Sequence, residues 1–424
     1  MSQRNILVWF RNDLRLHDNE MLFEAVQKAD KILPVFCFDP RHFTTTTFGT
    51  LKTGINRAQF LIDSVLDLRN SFREKGGDLL VCIGNPEDLL PSIVEKYNIT
   101  EVYHHREVAP EETKISSATE DALWKLKVNL KHFIGHTLFN KEDLPFPIKD
   151  IPDSFSKFKK KTERESIVKP CIGVPDKFEF IEVDEVGNLP QLSDLFQESN
   201  FINVPNLNRI GGETNALNHL KEIISFVESC EKSVSSINLN SGLSPWLSFG
   251  CISPRKIYFE LNQRGDNKEQ KSFYNKMILG LFWRDYFRFM FKKHGNNFFK
   301  SNGFLDKPSY TFIDDPVKLS NWKDGKTGNE VVDAIMIRLK EQGYIDGISR
   351  NLVITYFIEI LQLDWTQGAA YFEEMLIDYA PASNWGNWAV QAGVGNDLTH
   401  KPLPNFDTQL NNFIKFYRSS SFAA

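Results

Sequence analysis

Four short apolar runs, each followed by an amphipathic stretch, constrain the first third of the chain more than any other feature. NILVWF from Asn5, KILPVFCF from Lys31, DLLVCIG from Asp78 and ITEVYHH from Ile99 have strand length, are rich in Val, Ile and Leu, and end at polar or turn residues. NEMLFEAVQKA, INRAQFLIDSVLDLRNSFREKG, PEDLLPSIVEKYN and PEETKISSATEDALWKL carry helical spacing, several opening on Asn or Pro as helix starts do. Strand-helix alternation at this pitch predicts a doubly wound parallel sheet of the Rossmann-like kind. No glycine-rich dinucleotide fingerprint follows the first strand. WFRNDLRLHDN stands there instead, which excludes the usual nicotinamide-binding loop.

Beyond the first third the pattern changes twice. From about Leu144 to Asn206 periodicity fades into a proline-containing stretch with lysines at 157, 159, 160 and 161, read as a long connection wrapping over both lobes with one short helix in it. From Gly211 onward the periodicity is helical, in GGETNALNHLKEIISFVESC, SPRKIYFELNQ, KSFYNKMILGLFWRDYFRFMFKKHG, NEVVDAIMIRLKEQG, RNLVITYFIEILQL and TQGAAYFEEMLIDYA. A chain of 424 residues exceeds one ordinary core. The expectation is therefore an α/β lobe over 1–140, a linker over 141–206 and an all-helical lobe over 207–424.

Composition narrows the function classes. A net charge of -5 gives no global signature of nucleic-acid binding, though it leaves room for a local basic patch. Five dispersed cysteines without metal-ligand spacing point to reduced thiols in a cytoplasmic protein and to no metal site. The N-terminal apolar run is too short for a signal peptide, and no stretch reaches membrane-spanning length. An aromatic fraction of 13% suits either a Phe-rich core or a protein that holds planar groups. The same two readings apply to SNWGNW at 383–388. On a helix Trp385 and Trp388 share roughly one side, with the amides of Asn384 and Asn387 beside them. They are core aromatics or the wall of a slot for a flat ligand.

Taken together, VWFRNDLRLHDN, CFDPRHF, HREVAPEE, GGET, LSPWLSFGCISPRKIYFEL, FWRDYFRF, TGNEVVDA and DYAPASNWGNWAVQAGVGND resemble the photolyase and cryptochrome family, most closely its cryptochrome DASH branch. The resemblance covers nearly the whole chain. It implies an FAD held in the helical lobe, excitation by blue light, and either repair of pyrimidine dimers in DNA or signalling. It places Asn384 near the flavin N5, with Trp388 and then Trp365 as electron donors; the third donor position falls on Phe312, with Tyr310 as a substitute. Asn240, Ser241, Gly242, Leu243 and Ser244 match the loop that holds the FAD pyrophosphate, and Arg284 matches a residue reaching the phosphates. Arg350 and Asp378 match an ion pair beneath the flavin ring. Trp283 matches the indole that packs on a flipped dimer, with Trp385 on the same ligand side. Glu107 matches a carboxylate that contacts a folate antenna, although a strand-end Glu also reads as solvent-facing.

Spacing adds that Arg284, Arg288 and Lys292 recur every four residues, either a basic stripe fit to track phosphate or an ordinary solvated face. The chain also departs from the family. Ala380 stands where a second flavin-side Asp is usual, and Asn240 and Gly242 replace a hydroxyl and a basic or larger residue. Gly280 stands where repair-competent relatives carry a Glu, and Tyr344-Ile345-Asp346-Gly347-Ile348 replaces Trp-Met-His-Asn-Arg. The expectation is an FAD-binding, blue-light-responsive monomer of the DASH type with weak repair of single-stranded or lesion-containing DNA. The alternatives are a flavin photoreceptor without repair and a flavin-less binding module on the same scaffold.

Overall fold

A computed structural model describes residues 3–196, 208–229, 241–305, 311–396 and 405–419. In the first lobe five strands, β1 Asn5–Phe10, β2 Lys31–Phe38, β3 Leu80–Ile83, β4 Glu101–His105 and β5 Asn129–Phe133, form one parallel sheet in the order β3-β2-β1-β4-β5. Helices α1 Glu20–Lys28, α2 Ile55–Glu74, α3 Pro86–Lys96 and α4 Pro110–Lys125 make the crossovers. Side chains alternate across the pleat. Leu7, Trp9, Leu33, Val35 and Val102 join Leu90 and Val94 of α3 and Ile115 and Leu123 of α4 in one core. Ile6, Val8 and Phe10 face the other way, into a core shared with α1, α2 and the helical lobe.

The strand order has a functional consequence. The chain winds from β1 outward through β2 and β3, then returns to the other flank of β1 with β4, so the direction reverses between β1 and β4. A crevice opens at the carboxyl ends of the two strands that flank such a reversal. Here it is framed by the residues after β1, Arg11 and Asn12, and those after β4, Arg106 and Glu107. The fifth strand was not among the four expected. NLKHF is short, with Lys131 and His132 only half-buried, and it gains its place by pairing along β4.

Among its described residues the stretch after the sheet contains two α-helices, α5 Phe155–Glu165 and the four-residue α6 Leu192–Leu195, rather than one. It also adds to the sheet: the Ile32 amide donates to the Glu179 carbonyl, the Ile181 amide to the Ile32 carbonyl and the Val81 amide to the Val186 carbonyl, at 2.8 to 2.9 Å. The helical lobe comprises α7 Glu213–Ser229, α8 Ser244–Ser248, α9 Pro254–Asn262, α10 Lys268–His294, α11 Pro316–Lys323, α12 Glu330–Gln342, α13 Gly347–Thr355, α14 Trp365–Met375, α15 Pro381–Gln391 and α16 Phe406–Ser419. The 27-residue α10 is its axis, opened by the side chain of Asn267 and ended at Gly295 with φ 55°. It packs against α5, α9 and α15. α11 and α16 had no counterpart in the sequence reading.

WFRNDLRLHDN turns out to be the joint between the lobes. Arg15 donates to the carbonyls of Gly250, Asp18 and Gly135, and Asp18 pairs with Arg255 at 2.6 Å. Glu213 accepts from the amides of Leu16 and His17. These groups are almost wholly buried, so their partners are what makes their burial affordable.

Candidate functional site

Two cavities lie at the joint. The larger, about 1020 Å³, is inside the helical lobe and is walled by α8, α10, α13 and α15 with Asp378 after α14. Asp378 accepts from Arg350 Nη2 at 2.7 and 2.8 Å and from the Ser244 hydroxyl at 2.6 Å. Burial by itself would depress the Arg350 pKa, but the adjacent carboxylate more than offsets it and the guanidinium stays charged. The expected pair is therefore formed, and through Asp378 it ties α13 to the first residue of α8.

Ser241, Leu243 and Ser244 also line this cavity, while Asn240 lies outside the described residues. Gly242 sits at φ 60°, a left-handed turn that suits glycine. α8 is only five residues long, so its helix dipole adds little, and a bound anion here depends on side chains. Arg284 supplies one. Its guanidinium donates to the carbonyls of His136 and Leu247 and belongs to no ion pair among the described residues. Burial and the nearby Arg288 push its pKa down. A half-buried cation whose hydrogen bonds, among the described residues, go to carbonyls, on the wall of a large cavity, is a fitting seat for phosphate.

The α15 residues in this cavity are Ser383, Asn387, Val390 and Gln391. Asn384 turns toward α14 and donates its amide to the Ala369 carbonyl at 2.9 Å. Trp388 is fully buried against Trp322, Phe357 and Phe372, in a space that exists because residue 368 is glycine. Trp365 donates to the Ser301 carbonyl and packs on Trp385, so the described ring contacts do not join Trp388 to Trp365 directly. Trp322, which sequence reasoning did not single out, is the indole that touches Trp388, at 6.3 Å between ring centres. Tyr310 lies outside the described residues.

Trp283 lines the cavity rim, and Phe155 from α5 lies flat on it, with ring centres 3.5 Å apart and planes 11° apart. Gly280 lines the same cavity, and a β-carbon there would meet nothing within 4 Å. The position at which the sequence resemblance leads one to expect a carboxylate is open space in this chain.

The second cavity, about 680 Å³, opens at the crevice of the sheet and carries the aromatic rings of Trp9, Phe38, Phe43, Phe299 and Trp385 in its wall. Glu107 belongs here and is buried, which corrects its reading as a solvent-facing strand end. It accepts from Asn12 at 3.2 Å and Arg288 at 3.0 Å, with His136 Nε2 3.1 Å away. Burial raises its pKa, yet His136 and Arg288 outweigh that and hold it well below the usual range. Burial and the charge of Glu107 push Glu112 up to about 8, so the two share one negative charge at neutral pH.

The same contacts revise the basic stripe. Arg284 and Arg288 face the inter-lobe joint, because α10 is packed between the lobes. Only Lys292 remains exposed, beside Lys141 and Arg106. Trp385 sits in the second cavity, not beside Trp283. The two cavities share Ser248 and Ala380 in their walls, so their contents are neighbours.

Comparison with known proteins agrees with this layout. Residues 6–175 match the DNA photolyase family, and residues 277–413 match the FAD binding domain of DNA photolyase. The chain is 38% identical over 406 residues to a cryptochrome DASH of Gloeobacter violaceus, covering 94% of this chain and 81% of that protein. The chain belongs to the photolyase and cryptochrome family, in its cryptochrome DASH branch. The crystal structure of a Synechocystis cryptochrome superposes with a TM-score of 0.89 at 35% identity, covering 99% of this chain and 89% of that one. An archaeal photolyase from Sulfolobus tokodaii, described with two FAD molecules, superposes with a TM-score of 0.80 at 25% identity, covering 97% and 89%. The chain thus has the FAD-binding domain of its family, and FAD is its cofactor. Among the described residues no helix is long and apolar enough to cross a membrane.

Proposed function

We propose that the protein is a blue-light flavoprotein whose FAD lies in the helical-lobe cavity and whose repair of pyrimidine dimers is weak and confined to single-stranded DNA. The observation that carries this reading is the wall of that cavity. Arg284 and the loop Ser241–Leu243 would receive the phosphates, the Arg350–Asp378 pair would hold the polar edge of the ring system, and Asn387 and Ser383 would offer hydrogen bonds from α15. FAD supplies the light-driven one-electron chemistry. The chain's own residues bind and orient it, exclude water with α15 and α10, and surround Trp388 with a dry aromatic shell.

Repair would require a flipped dimer to enter beside Trp283. Extrusion costs a few kcal/mol, and stacking on one aromatic returns roughly 1 to 3 kcal/mol per base. Phe155 already occupies one face of that indole, and Gly280 offers no hydrogen bond to the lesion. The same two observations favour a second reading, a photoreceptor without repair. Recovery of intact thymines under blue light separates them. Slow recovery on single strands and none on duplex supports the first, no recovery on either supports the second, and efficient duplex repair defeats both. A purified protein that is colourless and takes up no flavin would favour the binding-module alternative.

For the second cavity we propose an antenna chromophore with a planar heteroaromatic ring, of which a folate is one candidate. Its aromatic wall, its place at the sheet crevice and the walls it shares with the first cavity support this. The expected sign is a second absorption band in the purified protein, one lost from an Asn12→Ala and Trp385→Ala double variant that retains FAD.

A further inference from the structure

The charge balance around the FAD loop contains a cation that no assigned role uses. Arg209 lies just ahead of α7, and its guanidinium stacks over the ring of Tyr344 at 4.1 Å. Arg350 approaches the same ring at 5.6 Å, but its charge is met by Asp378. Arg209 forms no ion pair among the described residues, and its Nε is buried without a hydrogen-bond partner. Its Nη2 stands 3.2 Å from the point where a β-carbon would sit on Gly242, so a side chain at 242 would crowd the guanidinium. His219 Nε2 is 2.8 Å from the Ser241 carbonyl. Burial, with the repulsion of Arg209, lowers the His219 pKa, so the ring is neutral and donates to that carbonyl, fixing the loop without adding charge.

Around the loop and α8 there are therefore, among the described residues, two cations without an ion pair. Arg209 lies at the loop that precedes the helix, and Arg284 is hydrogen-bonded to Leu247 near its end. Arg209 is not on the cavity wall itself; it stands against Gly242, between Ser241 and Leu243, which are. A diphosphate ester carries two negative charges at neutral pH, matching the two uncancelled guanidinium groups. We propose that Arg209 is the second cation of the diphosphate subsite, reading the nucleotide half of the bound dinucleotide in concert with Arg284. The assignment rests on the reading of this cavity as the FAD site. Tyr344 and His219 act as positioning residues, one by stacking on the guanidinium and the other by holding the loop against it.

The test uses the protein as purified and after removal of its flavin, with FAD, ADP and riboflavin as probes in titration calorimetry. Arg209→Gln should weaken ADP at least tenfold and FAD similarly while leaving riboflavin, which has no phosphate, within twofold. Arg209→Lys, which retains the charge, should stay within threefold of wild type for ADP. The wild-type affinity for ADP should also fall more steeply with salt than that of Arg209→Gln. Unchanged ADP affinity in Arg209→Gln would overturn the assignment while leaving the FAD reading intact. Equal losses for ADP and riboflavin would overturn it too, by showing that Arg209 merely supports the fold. Wild-type protein that takes up neither FAD nor ADP would overturn the cavity reading and this assignment with it.

Discussion

In the cavity at the sheet crevice Glu107 has met Arg288, Asn12 and His136 before any ligand arrives, whereas in the helical-lobe cavity, among the described residues, Arg350 is paired with Asp378 and Arg284 donates to carbonyls. At the first cluster a carboxylate is held by its partners, although Arg57 on the same wall, stacked over Tyr379, enters no ion pair among the described residues. At the second, Arg284 keeps a charge that no carboxylate among the described residues meets. The two cavities share Ser248 and Ala380 and differ in which of these groups is already paired. Breaking the first should cost the fold, and breaking the second should cost the ligand.

The largest expected effect tests that division directly. Arg288→Ala leaves the Glu107 carboxylate buried and unpaired, which should lower stability by roughly 3 to 5 kcal/mol, read by urea unfolding. Adding Glu107→Ala should recover much of the loss, and failure to recover would show that the pair is not the cause. In the other cavity Asp378→Ala removes the acceptor shared by Arg350 and Ser244. FAD affinity should fall roughly a hundredfold, with helical content by circular dichroism unchanged. A variant that keeps its FAD would make the pair a structural brace and erase the contrast.

A pH experiment sharpens the Glu107 side. Burial pushes His136 down to about 4, from an unfolded value near 6.5. A depressed folded value means that the unfolded chain takes up the proton first, so stability is fully present above pH 6.5 and is lost as pH falls toward 4. The loss should approach about 3 kcal/mol near pH 4 and should shrink in His136→Asn. An equal pH slope in the variant would move the cause elsewhere.

The next effect concerns the aromatic shell of the helical cavity. Trp388→Phe should slow photoreduction of bound flavin by external reductant more than tenfold. Trp322→Phe should slow it several-fold if the ring contact from Trp388 is a route outward, and Trp365→Phe should do so if the route runs past Trp385 instead. Equal rates in all three variants would remove the tryptophans from electron supply. The smallest effect is a gain: Gly280→Glu places a carboxyl in open space on the cavity wall, and dimer repair in single strands should rise a few-fold. An unchanged or lower rate would mean that Phe155 over Trp283, not the missing carboxyl, limits access.

Much of this molecule was legible one residue at a time. The four apolar runs became β1 to β4 because Val, Ile and Leu repeat at strand length between turn residues, a local signal that burial on both faces only reinforces. β5 escaped because NLKHF carries Lys131 and His132 and is an edge strand whose sheet pairing, among the described strands, comes from β4. α10 was read at nearly its full length, but the role of its cations was not. A four-residue spacing shows that Arg284, Arg288 and Lys292 share a face. It does not show that the first lobe lies on that face.

The sequence by itself determined the fold class, the family likeness, the Arg350–Asp378 pair, and the absences at Gly280 and Ala380, since these rest on residue type, period and motif. Only the tertiary structure decided which way the polar groups point. It buried Glu107 and gave it Arg288, turned Asn384 toward Ala369 and Asn387 toward the cavity, put Trp385 in the crevice with Phe299, and set Arg209 against Gly242. The physical reason is one of range. Periodicity reports a residue's neighbours along its own helix or strand, whereas the charge state and partner of a buried side chain are set by groups up to about 180 residues away in sequence, as between Glu107 and Arg288, that meet only when the lobes pack.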